Sequence, residues 1–117
     1  MEIKVVTSVT KYNRDINNKI EAGTLDETEK GLVMTPETFN KVFSPERIKL
    51  LQRIYKNNIK SIYQLAQEMD KPYEVVFRNI QYLAGIGIIQ VKKKDNKDVP
   101  SIVSKFSIDF FAGEVEA

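Results

Sequence analysis

Cysteine and histidine are both absent from the 117 residues of this chain. The absence of cysteine excludes disulfide bonds, thiolate catalysis and thiolate-bound zinc. The absence of histidine removes the usual general base near neutral pH and the commonest metal ligand. A carboxylate-dependent hydrolase remains open, although no recognisable motif supports it. We therefore expect a protein that is not an enzyme and that uses no cofactor and no metal ion.

Long apolar runs are also missing. No segment reaches the roughly 18 consecutive apolar residues that a membrane-spanning helix needs. Residues 1–6 alternate polar and apolar side chains, whereas a signal peptide has a continuous apolar segment. We expect a cytoplasmic protein with no membrane partner.

The net charge of +2 is small, so attraction to a polyanion has to come from local patches of positive charge. The excess of basic residues lies after Ser44, in the C-terminal part of the chain. Four lysines of one short segment contribute most of it: Lys92, Lys93, Lys94 and Lys97.

The first 43 residues contain short signals for secondary structure. Residues 3–9 are rich in β-branched side chains and predict a strand, and residues 31–34 predict an edge strand. Residues 16–22 have a weak helical pattern. Thr35, Pro36 and Glu37 match the preferences of a helix start. We interpret residues 1–43 as an N-terminal extension that packs on the rest of the chain or forms a dimer contact.

Residues 44–87 predict three helices in succession. Ser44 followed by Pro45 opens the first, Ser61 with Gln64 forms a capping-box pattern for the second, and Pro72 suits the first turn of the third. Apolar residues recur with a helical period, and Gly85 and Gly87 are expected to close the third helix. The predicted buried stripes are Ile48, Leu51, Ile54 and Tyr55; Ile62, Leu65, Ala66 and Met69; and Val76, Ile80 and Leu83.

After Gly87 the apolar period changes from about 3.6 to 2, which indicates strands. Ile89 and Val91 begin the first strand, residues 93–99 form a charged loop, and residues 102–111 resume the alternation. We expect these two strands to pair as an antiparallel hairpin.

Three helices followed by a hairpin form the layout of a winged helix-turn-helix. SIYQLAQEM at residues 61–69 resembles the first helix of that motif, and YEVVFRNIQYL at residues 73–83 resembles its recognition helix. LAGIGII at residues 83–89 resembles the join from recognition helix to wing in MarR-like and related prokaryotic regulators. SPERIKLL at residues 44–51 resembles the first helix of a group of predicted regulators of this type. The resemblance extends over residues 44–108.

Two positions depart from this pattern. The turn usually carries glycine where this chain has Asp70, and serine or threonine often opens the recognition helix where this chain has Pro72. The resemblance implies an α+β fold with a three-helix core and a β-hairpin wing in residues 44–117. It also implies a sequence-specific regulator that binds double-stranded DNA, which we expect to act as a homodimer.

A helical wheel of the recognition helix separates an inner face from an outer face. On the outer side, Arg78 can pair with guanine, Gln81 with adenine, and Glu74 with the amino group of cytosine. The predicted DNA-binding residues of this helix are Lys71, Tyr73, Glu74, Phe77, Arg78 and Gln81. The alternative is that they form the solvated face of an amphipathic helix.

The four wing lysines named above are expected to lie beside the DNA backbone or in the minor groove. A lysine-rich hairpin tip can instead be a solvated end that protects an edge strand from pairing. Arg47, Lys49 and Arg53 on the first helix fit a solvated face.

Phe110 and Phe111 fit either an intramolecular core or a dimer interface. For the whole chain, the alternative functions are a winged-helix module that binds another protein and the antitoxin of a toxin–antitoxin pair.

Overall fold

The computed structural model describes residues 2–10, 31–56, 58–103 and 105–112. Within these ranges the chain forms four helices and five strands, which confirms an α+β protein. The described residues divide into two compact units. Unit 1 contains those up to Lys41 together with those from Lys105 onward, and unit 2 contains those from Val42 to Val103. The helical pattern at residues 16–22 lies outside the described residues.

Unit 1 contains a parallel sheet. Its strands are β1 (Glu2–Val5), β2 (Gly31–Met34) and β5 (Ser107–Asp109). The last is numbered β5 because two strands of unit 2 precede it in the chain. The order is β2-β1-β5 with both pairs parallel, so β2 is the edge strand that the sequence predicts. The first strand is shorter than predicted, and Val6 continues the pairing by donating a backbone hydrogen bond to Met34 O at 2.8 Å.

Helix α1 (Pro36–Val42) follows β2, and the division between the two units falls at its last residue. Thr35 Oγ1 accepts a hydrogen bond from Thr38 N at 3.3 Å. A hydroxyl that satisfies a free N–H at the helix start is the role of an N-cap, so the predicted start is confirmed.

Three helices open unit 2: α2 (Pro45–Tyr55), α3 (Ile62–Met69) and α4 (Tyr73–Ile86). Ser44 Oγ accepts from Arg47 N at 3.3 Å, and Ser61 Oγ accepts from Gln64 N at 3.0 Å. Both predicted N-caps are therefore confirmed. Gln64 Oε1 reaches one residue further back than a capping box requires, because it accepts from Lys60 N at 2.9 Å.

The α3–α4 turn accommodates the unusual Asp70. This residue is left-handed, with φ 54° and ψ 48°, a region that aspartate enters more readily than most residues. The reversal lets Lys71 N donate to Ala66 O at 3.1 Å and close the helix end. Aspartate thus replaces the usual glycine without loss of the turn.

The predicted buried stripes are correct for α4 and largely correct for α3. Val76, Ile80 and Leu83 are all buried. On α2 the buried face differs from the prediction, because Leu50 lies inside while Ile48 and Tyr55 are 40% and 56% exposed. The buried apolar residues of unit 2 are Val42, Phe43, Leu50, Leu51, Ile54, Ile59, Ile62, Leu65, Ala66, Val76, Ile80, Leu83, Ile88 and Ile89.

An antiparallel hairpin of β3 (Ile89–Lys94) and β4 (Lys97–Ile102) follows α4. Asp95 and Asn96 form the turn, with φ angles of 54° and 61°. Two consecutive left-handed residues give the turn type whose twist matches paired strands. The expected charged loop at residues 93–99 is therefore wrong, since most of it belongs to the strands.

The prediction that residues 102–111 pair with β3 holds at Ile102, which faces Ile89, and is wrong for the residues after it. Strand β4 ends at Ile102, and Ser107–Asp109 pairs instead with β1. Residues 105–112 thus group with unit 1, whereas the predicted boundary after Phe43 put them in the second domain. The ring of Phe110 packs edge-on against Phe39 with centroids 5.3 Å apart, while Phe111 is exposed.

Candidate nucleic-acid interface

The orientation of α4 is set from two sides. Its apolar stripe faces the interior, and contacts from α2 hold one flank. Arg47 Nε donates to Asn79 Oδ1 at 3.0 Å, and its guanidinium lies 4.0 Å from the ring centroid of Tyr82. A cation over an aromatic face is attracted by the ring electrons. Arg47 therefore fixes the rotation of α4 about its axis and is not merely part of a solvated face.

The opposite side of α4 carries the residues that the sequence predicts to read bases. Glu74, Arg78 and Gln81 are all exposed, which confirms that they point away from the core. Lys71, just before the helix, is exposed as well. Their spacing of three and four residues places them on one stripe. The structure thus presents one guanidinium, one amide and one carboxylate together on an outer face; their contact with DNA stays a prediction.

The start of α4 lacks a side-chain cap. Pro72 occupies the N-cap position, and its carbonyl accepts hydrogen bonds from Val75 N and Val76 N at 3.1 and 3.2 Å. Serine or threonine at this position would offer a hydroxyl, and proline does not. Lys71, next to Pro72, places an exposed cation at the entry to the helix.

Three aromatic rings line one flank of this face, and we call Tyr63, Tyr73 and Phe77 the aromatic strip. The centroids of Tyr63 and Tyr73 are 6.5 Å apart, and those of Tyr73 and Phe77 are 5.8 Å apart with the rings 22° from parallel. Tyr63 is 61% exposed and Tyr73 is 42% exposed. An open groove of about 520 Å³ runs between Tyr63, Gln67 and Lys71.

Sequence reasoning missed Tyr63, although it identified Tyr73 and Phe77 as half-covered flank residues. Tyr63 belongs to α3, and only the packing of α3 against α4 brings its ring beside Tyr73. The available signal was its place on the polar side of the apolar stripe of α3.

The four predicted wing lysines lie on the hairpin and are all exposed. The pairing register separates them: Lys92 faces Val99, Lys93 faces Asp98, and Lys94 faces Lys97. Paired residues lie on the same side of a hairpin, and alternate residues share a face. Lys92, Lys94 and Lys97 therefore share one face, while Lys93 lies on the other with a carboxylate opposite.

Arg53 on α2 is also engaged within unit 2. Its Nε lies 2.6 Å from Glu68 Oε2 on α3, and Gln64 Nε2 donates to the other oxygen of that carboxylate at 3.2 Å. The hydrogen bond from Arg53 is the main reason that the pKa of Glu68 lies below its ordinary value. Arg53 thus links two helices and differs from the solvated cation that the sequence predicts.

Metal-binding clusters and membrane-spanning helices are both absent from the described part of the chain. No group of three or more acidic side chains there lies close enough together to hold a metal ion. None of the helices described has both the length and the apolar character to cross a membrane.

Comparisons with known proteins connect these features to one family. A search of the curated proteins finds no match. Among solved structures, the chain is similar to a crystal structure described as "the predicted DNA-binding transcriptional regulator from E. coli". The TM-score is 0.53 at 11% sequence identity, over 84% of this chain and 86% of that one. At this identity the likeness shows a shared fold.

The HVO_A0114 family model matches residues 42–106. This span is more than half of the 117 residues, and it includes all of unit 2, the unit that holds the three helices and the hairpin. The chain therefore belongs to the HVO_A0114 family.

Proposed function

We propose that this chain is a sequence-specific, double-stranded-DNA-binding transcriptional regulator that uses unit 2 as a winged helix-turn-helix. The observation that carries the proposal is the outer face of α4, where Glu74, Arg78 and Gln81 are exposed together. The fold shared with a predicted DNA-binding regulator supports it. In this proposal α4 is the recognition helix, the β3–β4 hairpin is the wing, and the protein works in the cytoplasm.

Base reading is assigned to the outer face of α4. Arg78 donates two hydrogen bonds to guanine O6 and N7, and Gln81 pairs with adenine N6 and N7. Glu74 accepts a hydrogen bond from cytosine N4, although its negative charge weakens the attraction between the helix and DNA. Lys71 and the wing lysines bind phosphates, which hold the helix in register without carrying sequence information.

The experiment is a selection of bound sequences from a random duplex pool, followed by affinity measurements on the selected site. We expect Arg78→Ala to weaken specific binding by about 1–3 kcal/mol and to relax preference at one base pair. Arg53→Ala is the matched control, because it removes an arginine whose partner is Glu68. An equal loss for Arg78→Ala on specific and random duplexes would reject base reading by this residue.

We further propose that the regulator binds as a homodimer. One winged domain of this size covers little DNA surface, and symmetric half-sites about one helical turn apart, roughly 34–36 Å, are the usual remedy. The selected sequences should then be palindromic, and sedimentation should give two protein chains per site. A non-palindromic site bound by one chain would contradict the dimer.

The aromatic strip favours a second candidate, a module that binds another protein. Exposed tyrosines are enriched at protein interfaces because they combine apolar area with a polar tip. An antitoxin would combine such a surface with DNA binding. Salt dependence separates the candidates, since affinity for random duplex DNA should fall steeply with salt if backbone contacts dominate. Absence of binding at 50 mM salt would favour the protein-binding module.

A further inference from the structure

A cleft lies between the tip of the hairpin and the segment that precedes α3. Its volume is about 370 Å³. Its walls are Ile59, Lys60, Lys94, Asp95, Lys97 and Val99. Three lysines therefore line the cleft together with a single aspartate. Lys60 was not singled out by the sequence, because only the fold brings it near the hairpin.

The hairpin register contains a second, independent sign of function. Lys94 and Lys97 face each other directly across the Asp95–Asn96 turn. Like charges in directly opposed positions destabilise a strand pair. The neighbouring pair, Lys93 with Asp98, has the favourable combination of charges. The hairpin thus has an unfavourable charge pair next to a favourable one. A residue pair that lowers the stability of the fold is typical of a functional position.

We propose that this cleft binds a phosphate group of the DNA backbone, held jointly by Lys60, Lys94 and Lys97. The proposal rests on the DNA-binding function proposed above, and it adds Lys60, which lies outside the hairpin, to the lysines of the wing. The phosphate supplies the negative charge that the opposed lysines lack. The buried Ile59 and half-buried Val99 give the aliphatic parts of the lysine side chains an apolar wall to lie along.

The proposal predicts that stability and DNA binding move in opposite directions in one variant. Lys97→Glu puts a carboxylate opposite Lys94, so the cross-strand pair becomes favourable and the melting temperature should stay level or rise. The same change removes a phosphate ligand, so affinity for a random duplex should fall. Each lost phosphate contact lowers the salt slope by about 0.9. Between 50 and 200 mM salt, the wild type should therefore lose about threefold more affinity than the variant.

Lys49→Glu is the matched control. It makes the same change of charge at an exposed position of α2 outside the cleft. It should leave the salt slope close to that of the wild type. Lys60→Ala tests the residue that lies outside the hairpin, and it should lower the slope by about as much as one phosphate contact.

The outcomes separate the two proposals. If the wild type binds duplex DNA and Lys97→Glu behaves like Lys49→Glu, the cleft assignment is overturned while the DNA-binding function stands. If the wild type does not bind duplex DNA at 50 mM salt, the DNA-binding function itself is overturned. A titration with inorganic phosphate, followed by amide chemical shifts, is the third measurement. Amide shifts at the three cleft lysines, combined with unchanged duplex binding in the variants, would assign the cleft to a free anion instead.

Discussion

Units 1 and 2 are built from opposite kinds of contact. In unit 2, three helices and a hairpin follow one another along the chain between Pro45 and Ile102. In unit 1, β1, β2 and β5 begin at Glu2, Gly31 and Ser107, so long stretches of chain separate strands that are neighbours in the sheet. Unit 2 is organised by local signals, and unit 1 depends on pairing between distant segments.

This difference has a physical origin. Helix caps and two-residue turns depend on residues that are close together in the chain. A short stretch of sequence is therefore enough to predict them. Parallel strands instead require a crossover connection, and no turn residue marks which partner a strand will take. The strands of unit 1 have only three or four residues each, which leaves little side-chain pattern to specify register.

The largest expected effect comes from the core of unit 2. Ile80 is fully buried at the centre of the inner face of α4. Ile80→Ala should lower the free energy of unfolding by about 2–5 kcal/mol, because it removes apolar contacts and leaves a cavity. Urea denaturation measures this loss. Gln81→Ala, at the exposed neighbouring position, should change stability by less than about 0.5 kcal/mol. A loss no larger than that of the control would mean that α4 is not held by its apolar stripe.

An intermediate effect tests the sheet of unit 1. A Cβ atom at Gly31 would overlap the backbone oxygen of Glu2 on the paired strand. Gly31→Ala should therefore cost about 1–3 kcal/mol, as overpacking against a fixed neighbour does. Amide hydrogen exchange of β1 and β2 should report the loss.

Gly85 provides the comparison for this substitution, because a Cβ there meets nothing within 4 Å. It lies inside α4, where alanine is favoured over glycine by about 0.5–1 kcal/mol. Gly85→Ala should therefore stabilise unit 2. If both alanine variants had the same effect, the close approach of β1 and β2 at Gly31 would be contradicted.

The smallest expected effect is the pH dependence of the ion pair between Arg53 and Glu68. The pKa of Glu68 is lowered in the folded protein by the hydrogen bond from Arg53. The pair therefore contributes stability above the unfolded pKa, about 4.3, and loses it as pH falls through the lowered folded value. The melting temperature of the wild type should exceed that of Glu68→Gln near neutral pH, and the gap should close in acid. Because the pair is exposed, the gap should be small and should shrink with added salt. A gap that widens on acidification would contradict this assignment.

The elements that could be predicted from the sequence are those with a local signature. Ser44, Ser61 and Pro72 mark three helix starts, and Gly87, with φ 97°, closes α4 after Ile86. The outer face of α4 could be predicted because one continuous helix fixes the directions of its own side chains. The turn at Asp95 and Asn96 carried an equally local signal, since these residue types tolerate left-handed backbone.

The second hairpin strand was misassigned for two reasons. Pro100 lies inside β4, and proline usually argues against a strand. The alternation of Phe106, Ile108 and Phe110 indicated a strand correctly but gave no information about its partner. Tyr63 in the candidate interface and Lys60 in the cleft beside the hairpin were missed for the same reason. Each acquires its neighbours only through tertiary packing.

The contact of Arg47 with Asn79 and Tyr82 has a consequence for how specificity can evolve. Successive residues of a helix are 100° apart around its axis, so turning α4 by one position would present Asn79 where Arg78 now faces outward. The contacts of Arg47 with Asn79 and Tyr82 resist such a turn. Substitutions on the outer face can therefore change the side chains that are displayed while the backbone frame that displays them stays in place.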